Sequence, residues 1–121
     1  MRLSLVLLVL ALAGCVAHAP APVEQGTLKV AGYASADQAA IAWERIPSAQ
    51  QPPELPPLFE EAARAGTASL TLEKPRGEAI VDLLAAEWGR QGIPSPPPSH
   101  GFPVRYHGQV FLPVFALGPS G

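Results

Sequence analysis

The fifteen prolines in this 121-residue chain set the strictest limit on its fold. Proline ends helices and is kept out of central strands, because its ring fixes φ and it has no backbone N–H to donate. Most of the prolines lie in two segments, Pro47 to Pro57 and Ile93 to Gly101. We therefore expect short helices and strands joined by stiff loops, in a single small domain.

The composition favours a folded chain with few charges. Hydrophobic residues make up 48% of the chain and charged residues 15%, whereas soluble domains usually carry roughly 25% charged residues. The formal net charge is −2, and no basic stripe is present that could displace counterions from a phosphate backbone. Nucleic acid is therefore not an expected partner.

The amino-terminal residues have the pattern of an export signal. Arg2 supplies a positive charge, and residues 3–13 form an apolar run of the length expected for a signal peptide. The run is too short to cross a bilayer, which takes about 20 residues. We assign residues 1–14 to a signal peptide and leave them out of the fold. The only cysteine, Cys15, follows at once, and it has no partner within the chain for a disulfide.

The four residues Leu12-Ala13-Gly14-Cys15 resemble the lipobox of bacterial lipoproteins. The resemblance implies that the Cys15 thiol carries a diacylglyceryl group with fatty acids such as palmitate. It also implies that the signal is cut before Cys15 and that the new amino terminus is commonly acylated. Two acyl chains hold a protein stably on a membrane, whereas one holds it only marginally. The alternatives are a buried or redox-active cysteine, or a signal cut elsewhere, for instance after Ala19.

The same resemblance predicts where the protein resides. Val16 occupies the position at which an aspartate is the inner-membrane retention signal in enteric bacteria, so we expect the outer membrane, facing the periplasm, in a host with two membranes. In a single-membrane host the anchor would face outward. Residues 15–26 are expected to form the lipidated cysteine and a flexible tether. Proline-rich lipoproteins of phage lysis systems are similar in anchor and prolines, but they have little folded domain.

The first half of the folded region, residues 27–118, alternates between strand and helix patterns. Residues 27–34 alternate as in a half-buried strand. Residues 35–46 predict a helix, because Ser35 and Gln38 have capping-box spacing and apolar residues recur at helical spacing. A second helix is expected within residues 56–66, with Glu60 and Arg64 as a pair four residues apart.

The second half predicts a strand, a helix and a hairpin. Residues 67–73 alternate with Ala68, Leu70 and Leu72 on one face, and residues 76–92 have the strongest helical stripe. Residues 102–118 predict a hairpin with His107-Gly108 as its two-residue turn. Its last strand is apolar on both faces, and Pro113 is expected to place that strand at a sheet edge or in a bulge.

Together these elements predict an α+β fold in the order β-α-α-β-α-β-β. We expect a small mixed or antiparallel sheet covered on one face by two to three helices. In the hairpin, Val104 should face Phe111 and Tyr106 should face Gln109. The expected core is Leu28, Val30, Trp43, Phe59, Leu70, Leu72, Ile80, Leu84, Trp88, Val104, Phe111 and Phe115.

The sequence offers few convergent groups for catalysis. His100 and His107 would need a further ligand to hold zinc, and Ser99-His100 are neighbours rather than parts of a triad. The pairs Glu60-Glu61 and Glu78/Asp82 have the spacing of solvated helix faces. We therefore expect no catalytic residue, no metal site and no cofactor, and we take the protein not to be an enzyme. A small-ligand binder or enzyme that uses a cleft between sheet and helices is the alternative.

Surfaces are the remaining candidates for function. The apolar last strand could dock an envelope protein through Phe111, Leu112, Val114 and Phe115, or helices of the same domain could cover it, or it could self-associate. The proline-rich segments could bind aromatic-lined grooves or act as spacers. Trp43 and Trp88 lie on apolar stripes, which favours core packing over ligand stacking. The leading hypothesis is a structural or accessory envelope lipoprotein, and a specific binding component of an envelope assembly is the alternative.

Overall fold

Five strands and two α-helices make up the fold in the computed structural model, which describes residues 23–33, 35 and 37–118. The predicted signal peptide and Cys15 lie outside the described residues. In chain order the elements are β1 (Gln25–Gly32), β2 (Ile41–Ala42), α1 (Leu55–Ala65), β3 (Thr67–Glu73), α2 (Lys74–Arg90), β4 (Val104–Tyr106) and β5 (Gln109–Leu117). The predicted α+β class is confirmed.

The strands form one mixed sheet in the order β2-β4-β5-β1-β3, in which only the β2–β4 pair is parallel. Both helices cover the same face, which we call the helix face. Phe59 of α1 stacks on Phe111, and Gly77 of α2 lies against Phe115, four residues further along the same strand. The other face, which we call the open face, exposes Lys29 and the polar residues of β3.

The hairpin register is confirmed. Val104 pairs with Phe111 and Tyr106 pairs with Gln109. The turn between them has φ of 50° at His107 and 80° at Gly108. Positive φ at both central residues is the geometry of a type I′ turn, whose twist matches that of the flanking strands. The short spacing between the two strands therefore fixed their pairing.

Pro113 does not place its strand at the edge of the sheet. β5 lies between β4 and β1, and Pro113 stands opposite Val30. The Val110 carbonyl accepts a hydrogen bond from the Tyr33 N–H on the β1 side, at 2.8 Å. Because backbone groups alternate in direction, Pro113 faces away from β1, where β4 no longer runs alongside. The missing N–H therefore costs no ladder hydrogen bond.

The helix predicted over residues 35–46 is wrong. The segment forms the short strand β2 and a 3₁₀ turn over Trp43–Arg45 instead. Ile41 and Trp43 are both buried, although residues two apart lie on opposite sides of a helix. The Ile41 N–H donates to the Pro103 carbonyl at 2.9 Å, and β2 pairs with β4. Pairing with distant residues therefore overrides the helical pattern.

The core is close to the predicted one. Nine of the twelve expected residues are buried, whereas Leu72 and Phe115 are only partly buried. Leu70 is wrong as a core residue, because it is 38% exposed at the outer strand of the sheet. The other buried hydrophobic residues are Ile41, Ile46, Leu55, Leu58, Ala62, Ala68 and Val110.

Both ends of α1 follow from its sequence. Pro56 lies in its first turn, where no N–H is needed, and Gly66 ends it with φ of 91°. The predicted Glu60–Arg64 pair is wrong, because Arg64 pairs with Glu61 one turn earlier. Glu60 instead accepts a hydrogen bond from the Tyr106 hydroxyl, at 3.2 Å.

Candidate functional site

A groove follows the half of β5 that β4 does not reach. β5 spans nine residues, but β4 pairs only with its first three, Gln109 to Phe111. Beyond this point α2 forms one wall and residues 99–102 form the other. The deeper end holds about 260 Å³. We call this feature the β5 groove; its lining residues are Glu78, Val81, Asp82, Leu84, Ser99, His100, Gly101, Phe102, Pro113, Val114, Phe115 and Leu117.

The floor of the groove includes an unpaired strand edge. The odd-numbered residues of β5 direct their backbone groups away from β1, as Pro113 does. Phe115 and Leu117 therefore present N–H and C=O groups on the side where no described strand lies. Such an edge can receive a further strand. The Leu117 side chain is 47% exposed beside it.

The α2 wall carries two acidic side chains. Glu78 and Asp82 stand one turn apart, with Val81 between them at the groove. Among the described residues neither has an ion-pair partner, whereas Glu87 of the same helix pairs with Arg90 and the nearby Glu54 pairs with Arg76. Glu54, for example, accepts two hydrogen bonds from Arg76, which lower its pKa. The groove therefore combines apolar surface with uncompensated negative charge.

The other wall is held in place by Trp88. Its indole N–H donates to the Ser95 carbonyl at 3.1 Å, and its ring centre lies 6.1 Å from that of Phe102. Gly101 then fits closely against β5, since a Cβ on Gly101 would come within 2.9 Å of Leu112. The proline-rich segment is therefore fastened at both ends, and its last residues form a fixed wall.

The predicted docking residues do not share one surface. Phe111 is 2% exposed, so its side chain belongs to the core. Leu112 and Val114 are half-buried on the open face, and Val114 also borders the groove. Of the four predicted residues, only Phe115 has its side chain on the helix face and lines the groove. Cys15, the predicted lipidation site, lies outside the described residues.

The residues considered for catalysis and metal binding are dispersed. The Ser99 hydroxyl lies 3.2 Å from His100 Nδ1, but no carboxylate contacts His100 in the part of the chain that is described. His107 lies at the hairpin turn, edge-on to Tyr106 at 4.2 Å. No three His, Cys, Asp or Glu side chains gather as a metal site among the described residues. Within this described region, no third group is therefore in place to orient the His100 ring.

A buried polar cluster joins α2 to β2. The Gln91 amide accepts from the Ala42 N–H at 2.8 Å and donates to the Ala42 carbonyl at 3.1 Å, as a neighbouring strand would. Gln91 also donates to Glu87, which accepts two hydrogen bonds from Arg90. The hydrogen bonds from Arg90, and to a smaller extent the one from Gln91, lower the pKa of Glu87, whereas its burial acts to raise that pKa. Every member has a partner, so we assign the cluster to structure.

The prediction that Trp43 and Trp88 pack in the core is confirmed. Trp43 is buried edge-on to Phe59, with ring centres 5.6 Å apart, and Trp88 is buried beneath the loop wall. Neither tryptophan offers a free face to a ligand in the described fold.

Tyr106 packs beside Trp43 and Phe59. Its burial, and to a smaller extent its hydrogen bond to Glu60, raises the pKa of the Tyr106 hydroxyl.

Sequence reasoning missed the α2 wall. Glu78, Val81 and Asp82 look like the wet side of an amphipathic helix, because the pattern does not show which neighbour is absent. The available signal was the unequal length of the hairpin strands on either side of His107-Gly108, since a longer partner leaves part of its edge open.

No family model, curated protein or solved structure matches the chain. The helices among the described residues are too short or too polar to cross a membrane.

Proposed function

We propose that this chain is a bacterial envelope lipoprotein, anchored through Cys15, whose domain is a non-catalytic binding module for an extended segment of another envelope protein. The observation that carries the proposal is the open half of β5, which lies in an apolar groove beside two acids, Glu78 and Asp82, that have no ion-pair partner among the described residues. Strand addition to such an edge is a recurring mode of peptide recognition.

The groove favours one chemical class of partner. Backbone groups of Phe115 and Leu117 can pair with an extended segment, and the apolar lining suits alternate apolar side chains. Glu78 and Asp82 favour a lysine or arginine at the outer end of that segment. The expected ligand is therefore an extended, apolar segment with at least one basic residue.

The anchor would keep this site close to the lipid. The chain from Val16 to Glu24 separates Cys15 from β1, and at about 3.3 Å a residue it reaches at most ~30 Å. β1 begins beside the end of β5, since the Gly118 N–H donates to the Gln25 carbonyl at 3.2 Å. The Leu117 end of the groove thus lies at the tether end of the domain.

Site-specific photocrosslinking in intact envelopes tests the proposal. The full chain carries p-benzoylphenylalanine in place of Leu117, with the same residue in place of exposed Glu44 as the control. We expect an adduct from position 117 alone, and we expect mass spectrometry to place it in an extended segment that contains lysine or arginine.

Charge reversal supplies the second arm of this experiment. Glu78→Lys with Asp82→Lys should reduce the adduct at least about tenfold, since both attractions become repulsions. Asp37→Lys with Glu44→Lys makes the same change in net charge elsewhere and should leave the yield unchanged. Equal adduct yields from positions 117 and 44 would contradict the proposal. An adduct yield from position 117 that is unchanged by Glu78→Lys with Asp82→Lys would contradict it as well.

A further inference from the structure

The outer edge of β3 is a second unpaired strand edge. β3 is the last strand of the sheet and pairs only with β1 among the described elements. The Gly32 N–H donates to the Gly66 carbonyl, so the even-numbered residues of β1 and β3 direct their backbone groups towards each other. The odd-numbered residues therefore direct their N–H and C=O groups outward, and all four of them are exposed: Thr67, Ser69, Thr71 and Glu73.

In the part of the chain that the structure describes, this edge lacks the devices that usually prevent pairing. Natural edge strands are commonly short, carry lysine or proline, contain a bulge, or are covered by another element. β3 has seven residues in unbroken register with β1, and its only charged residue is Glu73 at the end. α1 does not cover the middle of the edge, because Leu70 is 38% exposed on the helix face.

We propose that a second copy of this chain pairs with β3 in antiparallel orientation, with Leu70 at the two-fold axis. This register places Thr67 opposite Glu73 and Ser69 opposite Thr71 of the second copy. The two-fold axis repeats each of these pairs, which gives four pairs of residues whose backbone groups point outward. Each pair exchanges two hydrogen bonds, so the interface has about eight interchain hydrogen bonds. The two sheets become one continuous sheet.

The side chains of β3 complement themselves in that register. Leu70 meets Leu70 of the second copy in a pair without backbone hydrogen bonds, where side chains approach most closely. Ala68 meets Leu72 on the same face. On the open face each Glu73 meets a threonine, so like charges never stand opposite each other. Charge and apolar surface thus both fit a second copy, independently of the β5 groove.

Cysteine crosslinking of the full chain in detergent micelles tests the register. Leu70→Cys should form a disulfide-linked dimer on mild oxidation, because facing residues of this pair type have Cα atoms about 4.5 Å apart. Lys29→Cys, exposed in the middle of the sheet, is the matched control, and the wild-type chain reports any link through Cys15. Crosslinking at position 70 that is no faster than at position 29 would overturn the proposal.

Sedimentation equilibrium with Ser69→Pro tests the edge itself. The Ser69 N–H points outward, so proline leaves the β1–β3 pairing intact and removes donors only from the interface. We expect a dimer mass for the wild type and a dissociation constant at least about tenfold higher for the folded variant. Three results would refute the dimer. The first is a wild-type chain that is monomeric at about 100 µM, and the second is a dimer that Ser69→Pro does not weaken. The third is a monomeric wild-type chain that co-purifies with a different protein and loses that protein in the Ser69→Pro variant.

Discussion

Replacement of Gly77 by alanine should destabilise the domain, although glycine to alanine in a helix is normally stabilising. Alanine in a helix interior is about 0.8–1.0 kcal/mol more favourable than glycine. Gly77 is buried within α2, and a Cβ there would lie 2.3 Å from Cε1 and Cζ of Phe115. Carbon atoms attract best at about 3.5–4.0 Å, so the ring must move by more than an ångström.

The size of the effect follows from where that ring can go. It cannot retreat towards β1, because it already covers Gly26, where a Cβ would lie 2.6 Å from its Cζ. It can only swing towards the β5 groove and lose its contacts with the core. Overpacking of this kind costs about 1–3 kcal/mol, so after the helix gain we expect a net loss of up to about 2 kcal/mol.

Urea unfolding of the full chain in detergent, followed by tryptophan fluorescence, measures this loss. Gly89→Ala is the matched control, since Gly89 lies in the same helix with nothing within 4 Å of the added Cβ. It should raise stability by up to about 1 kcal/mol. Phe115→Leu should remove most of the penalty of Gly77→Ala. A Gly77→Ala variant as stable as Gly89→Ala would refute the packing described for Phe115.

Two further predictions concern pH and the hairpin turn. Because Arg90 lowers the pKa of Glu87, that carboxylate stabilises the fold above the ordinary glutamate pKa of about 4.3, and the stabilisation is lost as the pH falls through its lower folded value. Glu87→Gln should therefore be less stable than the wild type at pH 7, and urea titrations should show the difference shrinking below pH ~4.3; a constant difference would contradict this. His107→Asn should raise the urea midpoint by the equivalent of about 0.5–1 kcal/mol, because asparagine tolerates the φ of 50° better than histidine. A lower midpoint would show that the contact of His107 with Tyr106 outweighs the backbone strain.

Local signals in the sequence predicted most of the elements. The alternation in residues 67–73, the stripe of α2 and the two-residue turn at His107-Gly108 each specify a structure within a few neighbours. Such signals act over one or two turns of chain. They were therefore sufficient for β3, α2 and the hairpin register.

The errors lie where distant residues decide. Ala42 lies in a strand because β4 and the Gln91 side chain take its backbone groups, 49 residues away in the case of Gln91. Leu70 fits the alternating pattern of β3 and lies on the predicted face of the sheet. The alternation does not reveal that β3 is the last strand of the sheet, where this side chain is left exposed. The β5 groove depends in the same way on where β4 begins relative to α2, which no local pattern encodes.

Labelling with radioactive palmitate tests the claim on which the proposed function depends, the lipid on Cys15. Cells that express the full chain or Cys15→Ser are labelled and separated into membrane and soluble fractions. We expect label on the wild-type chain and its retention with the membrane, and neither for Cys15→Ser. An unlabelled wild-type chain in the soluble fraction would contradict the account.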